Sequence, residues 1–160
     1  MSAEHEEPRI LPMVRPRGLI EAIVEEVLAA RRDLPVGPRG CSVTIDVADR
    51  HVLQVDPAAI RAILTELVSA ALDNAALTQS GETPVEREVV VTSVEYADTI
   101  EIEVADSGPV LPQAGAAHAE QIVQPLLEQV GGRLTAAACP EGGRALTLSL
   151  PHRRLRRRAA

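Results

Sequence analysis

The 160-residue chain has no lysine, phenylalanine or tryptophan, and its one tyrosine is Tyr96. The missing lysine removes a P-loop lysine and a Schiff-base nucleophile from consideration. With so few aromatics, the core must be built from Leu, Val, Ile and Ala. Hydrophobic residues make up 46% of the chain, which suits a folded domain and not a disordered one. Cysteine is scarce as well. Cys41 and Cys139 lie far apart, and neither has a ligand-spaced neighbour, so zinc and CxxC redox chemistry are unsupported. No apolar run approaches the length of a membrane span, and no signal peptide pattern opens the sequence, so a cytoplasmic location is expected. The length fits one domain.

What charge is present is unevenly placed. The formal net charge is −7, yet "RRLRRR" (Arg153 to Arg158) carries five arginines, so the remainder stands at −12. An acidic body with a basic tail does not look like a nucleic-acid-binding domain. The tail, residues 152–160, is available to contact an acidic surface, or is simply a solvated terminus.

Residues 1–16, with Pro8, Pro12 and Pro16, read as a loose arm. In "GLIEAIVEEVLAARR", Leu19, Ile20, Ile23, Val24, Val27 and Leu28 recur at helical spacing, and Arg31 and Arg32 suit the helix's negative end. "CSVTIDV" alternates as a strand, and "HVLQV" reads as a short second one. Asp56-Pro57 is a helix start, and the helix runs to about Leu77 on a stripe that includes Ile60, Ile63, Leu64, Leu67 and Val68. "REVVVTSVEY" and "TIEIEVA" form two strands around a turn near Ala97-Asp98. A third helix, "HAEQIVQPLLEQV", should kink at Pro125 and stop at Gly131 and Gly132. "RLTAAAC" and "RALTLSL" close the chain as a hairpin. This order predicts an α/β two-layer sandwich over 17–151, with about three helices on one face of a mixed sheet.

Three stretches resemble the C-terminal ATP-binding domain of bacterial histidine kinases, part of the ATPase superfamily shared with gyrase. "VDPAAIRAILTELVSAALDNA" resembles the family's asparagine-box helix, and "IEIEVADSGP" its strand into an Asp-x-Gly-x-Gly box. "EQVGGRLTAAACPEGGRALTLSLP" resembles its closing hairpin. The resemblance spans roughly Arg17 to Pro151. It implies a nucleotide between helices and sheet, a magnesium-binding asparagine, a Glu or Asn one turn earlier that orients the nucleophile, an aspartate on the adenine amino group, and a glycine-rich lid.

Mapped onto those roles, Asp106 and Gly108 fall on the adenine box, and Glu66 on the nucleophile-orienting position. Asp106 is also a common strand-ending turn residue, and Glu66 a common solvated helix residue. Counted from Asp56, the metal asparagine falls on Ala70, which has no side-chain oxygen. Asn74 lies about 40° round the helix and about 6 Å along it from there. Magnesium demands ligands at about 2.0–2.1 Å, so Asn74 reads as a polar residue near the helix end and no metal is expected. Val110 behind Pro109 replaces the second box glycine, and the lid shrinks to "VLPQAGAA", with Gly115 its one glycine. Arg144 and Ala145 stand where the family often has a threonine.

For the phospho-acceptor, His5 reads as coincidence, while His51, His118 and His152 are scattered without an evident acidic partner. The sequence therefore points to a non-catalytic ATPase-fold module acting through a protein partner: a kinase, a response regulator or itself. Its open cleft would be lined by Ala70, Ala71 and Val110. Two alternatives stay open. One is an ATP-binding kinase of histidine or anti-sigma type, using Glu66 and Asp106 with an altered metal site. The other is a sensor that binds ATP or another ligand without magnesium.

Overall fold

The computed structural model describes residues 10–31, 40–77, 86–110, 114–140 and 142–152. His5, residues 78–85 and the arginines of the tail lie outside them. Three helices, α1 (Pro16–Ala30), α2 (Pro57–Ala76) and α3 (Ala114–Val130), pack on one face of a five-stranded mixed sheet. That sheet contains β2 (Cys41–Asp46), β4 (Arg87–Glu95), β5 (Thr99–Asp106), β6 (Arg133–Ala138) and β7 (Arg144–Pro151), in the order β2-β4-β5-β7-β6. β2 runs parallel to β4, and every other neighbour is antiparallel. The two-layer α/β sandwich read from the sequence is the fold observed.

Local chemistry explains the element ends. Asp56 Oδ1 accepts hydrogen bonds from the backbone N–H of Ala58 (2.9 Å) and Ala59 (3.3 Å), and Pro57 fills the first helical position, so α2 starts there. Its stripe of Ile60, Ile63, Leu64, Leu67, Val68 and Leu72 is fully buried and meets α1, α3 and the sheet. α3 ends at Gly131, whose φ of 66° few other residues adopt, with Gly132 N–H donating to Leu127 O at 2.9 Å.

Three expectations are revised. Part of the N-terminal arm is ordered structure: β1 (Met13–Val14) pairs with β3 (Leu53–Gln54) in a separate two-stranded sheet. Two-residue strands are too short to show alternation, and "HVLQV" contributes nothing to the main sheet. α3 begins at Ala114, a turn earlier than expected, and Pro125 lies inside it. The carbonyl that Pro125 cannot serve belongs to Gln121, an exposed residue, while Val123 and Leu127 stay in the core. Arg31 serves the tertiary structure more than its own helix end, because its guanidinium pairs with Asp73 and donates to Ser69 O, tying α1 to α2.

Candidate functional site

The last turns of α2, the end of β5 and the start of β7 meet at one point. The β5–β7 register puts Asp106 opposite Arg144, and the twenty residues of α2 carry Asn74 to the same place. The Asp106 side chain is 1% exposed. Its Oδ1 accepts from Asn74 Nδ2 at 2.7 Å and from Gly108 N–H at 2.9 Å. Its Oδ2 faces Arg144 Nε at 3.5 Å, an ion pair without a hydrogen bond. Asn74 Nδ2 also donates to Pro109 O at 3.2 Å, and Arg144 Nη2 to Ala70 O at 3.3 Å. A carboxylate this deep is tolerable only when its charge is matched, and Arg144 matches it.

Two glycines permit this closeness. A Cβ on Gly108 would sit 2.2 Å from Asn74 O, and one on Gly143 would sit 1.8 Å from Asp106 O. Gly143 also has φ of 94°. Gly108, expected to leave room for a ligand, here leaves room for α2.

Outside this knot lies a small cleft of about 210 Å³, lined by Glu66, Ala70, Asp73, Asn74, Leu77, His118, Ala119 and Arg144. Small-molecule sites usually run from about 300 to 1,000 Å³, and this cleft, as lined by the described residues, lies below that range. Glu66 and Ala70 line it as the sequence suggested. Ala71 is fully buried in the core and cannot line it, because it sits one position round the helix, facing the sheet layer. Val110 is 57% exposed and is not among the lining residues. Gly115 belongs to the first turn of α3 and not to a loop.

The residues present do not fit a magnesium ion. Ala70 offers only its backbone oxygen, which already accepts from a guanidinium, and Asn74 is buried with its amide held against Asp106 and Pro109. Among the described residues no three of His, Cys, Asp or Glu converge as a metal set. Asn74 is thus more than a polar residue near a helix end: it is buried and bonds the adenine-box aspartate.

Sequence reading missed a second polar cluster. His51, buried, has Nδ1 2.8 Å from Ser93 Oγ and Nε2 3.8 Å from Glu95 Oε2, while His152 Nε2 lies 2.9 Å from Glu95 Oε1. Both histidines do have an acidic partner. The alternation of β4, which places Ser93 and Glu95 on the core face with Val91, was the available signal.

No protein-family model matches the chain, and no curated protein does. Solved structures do. The nucleotide-free catalytic domain of the histidine kinase ThkA aligns with TM-score 0.69 at 14% identity, over 89% of this chain and 96% of that one. The ATP-binding domain of PrrB from Mycobacterium tuberculosis aligns with TM-score 0.64 at 19% identity, over 91% and 100%. The cytoplasmic segment of the histidine kinase QseC gives 0.63 at 17%, over 95% and 85%. Helix order, mixed sheet and these alignments agree: the chain has the fold of a histidine-kinase ATP-binding domain.

Proposed function

We propose that the chain is a non-catalytic module of this fold that binds a protein partner through its α2–α3 cleft, within bacterial signalling or regulation. The carrying observation is the engagement of Asp106. The carboxylate that the family resemblance assigns to adenine accepts from Asn74 and Gly108 on one oxygen and faces Arg144 with the other. The acceptor capacity of Oδ1 is turned into the fold, and the charge on Oδ2 is matched by Arg144. Ala70 and the short segment before α3 argue in the same direction, since they withhold a metal ligand and a phosphate cradle.

Titration calorimetry with ATP and a non-hydrolysable analogue, with and without magnesium, tests the reading. No heat of binding is expected in either condition, and magnesium-dependent micromolar binding would sink it. An Ala70→Asn variant should stay inert, because Arg144 still occupies the neighbouring carbonyl. Recovery of metal-dependent binding there would favour the kinase alternative and make the missing asparagine the main lesion.

One observation favours the sensor reading. Asp106 Oδ2 and Arg144 Nε are both buried without a hydrogen-bond partner, and a small polar ligand could satisfy them. Metal-independent binding that is lost in Asp106→Asn would support that reading.

A further inference from the structure

The cleft's electrostatics select among partners. Arg144, the cation among its lining residues, points inward, with its charge matched by Asp106 and its Nη2 spent on Ala70 O. What faces outward is acidic. Glu66 has no hydrogen bond or ion pair among the described residues. Asp73 is 66% exposed at its side chain and meets Arg31 through Oδ1, with no partner for Oδ2 among the described residues. Beside the two carboxylates the lining has Ala70, Ala119 and the half-exposed Leu77 as its apolar part, with Asn74 and His118. Carboxylates flanking an aliphatic floor match an arginine side chain, which buries its stem and pairs its planar head. A volume of about 210 Å³ is enough for a side chain.

The chain itself carries such a segment in Arg153–Arg158, against an otherwise acidic body. Its own cleft is poorly placed to receive it. β7 leads from Arg144 at the cleft to Pro151, about 23 Å away at 3.3 Å per residue. Arg153 to Arg158 lie two to seven residues beyond Pro151, so only the last of these arginines reaches back that far, at full extension. A second copy has no such constraint.

Resting on the reading of the cleft as a partner site, we propose that it receives the arginine-rich tail of a second copy of this chain, exchanged reciprocally so that two tails fill two clefts. A two-fold exchange of this kind closes at a dimer.

Sedimentation velocity on the full chain tests it, at about 50 mM and about 500 mM salt. A dimer is expected at low salt, with at least a tenfold weaker association at high salt, where exposed ion pairs are screened. Replacing the five tail arginines by serine should give a monomer. Glu66→Lys should weaken association at least tenfold, and Glu66→Gln, which preserves shape, should weaken it less. A charge swap gives the specific readout. The Glu66→Arg chain mixed with a chain whose tail arginines are glutamates should restore heterodimer. A monomer at low salt overturns the proposal, including the case of a tail folded onto its own cleft. So does a dimer that survives the tail substitutions, or one indifferent to Glu66. These results are separable from the nucleotide titrations: a monomer that binds no magnesium-ATP loses only this inference, whereas magnesium-dependent nucleotide binding removes the reading beneath it.

Discussion

At its first turn α2 is held by a carboxylate near water, and at its last turn by a carboxylate out of water. Asp56 caps Ala58 and Ala59 at the surface, a local interaction that any helix of this composition could make. Asp106 reaches the other end from a strand thirty-two residues away, through Asn74, and is itself balanced by Arg144. Losing the first weakens one helix start. Losing the second takes the counter-charge from the Arg144 guanidinium and one of two acceptors from the buried Asn74 amide. One helix therefore carries one end whose energetics are local and another whose energetics belong to the whole sandwich.

Breaking the inner end should show the largest effects. Gly143→Ala forces a Cβ against Asp106 O at a positive φ, and should cost about 4 kcal/mol in urea unfolding, or prevent folding. Asp106→Ala strands Arg144 and should cost about 3 kcal/mol. Asn74→Ala removes a bond to a charged group and should cost about 2 kcal/mol. In a double-mutant cycle the last two should fall well short of additive, since they share one contact. Breaking the outer end is milder: Asp56→Ala should lower stability by about 1 kcal/mol, with the inner contacts intact.

The smallest effect is chemical. Burial pushes the Cys41 thiol up, and Cys139 is raised by burial and then by the Glu103 and Asp106 carboxylates. Less thiolate at a given pH means slower alkylation, so at pH 8 both should react more slowly with iodoacetamide than in the unfolded chain, Cys41 the slower. Both rates should climb as pH rises above the ordinary thiol range. Asp106→Asn should speed both modestly, because the Asp106 carboxylate helps to raise each thiol.

The same contrast separates what the sequence discloses from what it hides. The helix stripes, the Asp-Pro start and the Gly131-Gly132 stop are written in neighbouring residues, so helix positions and the sandwich are legible. So is the substitution at Ala70, because it can be counted along one helix. Asn74 and Arg144 are not legible in that way. Their roles appear only when the β5–β7 register sets Asp106 against Arg144 and the sandwich closes over both. His51 and His152 likewise meet Glu95 through packing alone, from loops nearly a hundred residues apart. The Met13–Val14 strand escapes for a different reason, since two residues cannot display a period.

The grip on Asp106 also bears on how such a chain can change by descent. A carboxylate whose removal exposes a buried guanidinium is held in place by stability alone, whether or not a nucleotide ever reaches it. Its presence therefore carries little information about ligand binding. Restoring a metal ligand at position 70 would leave Arg144 still seated, and evicting Arg144 first would pass through a chain with an unmatched buried charge. The two steps obstruct each other, so building a metal-dependent nucleotide site on this chain is uphill at its first move.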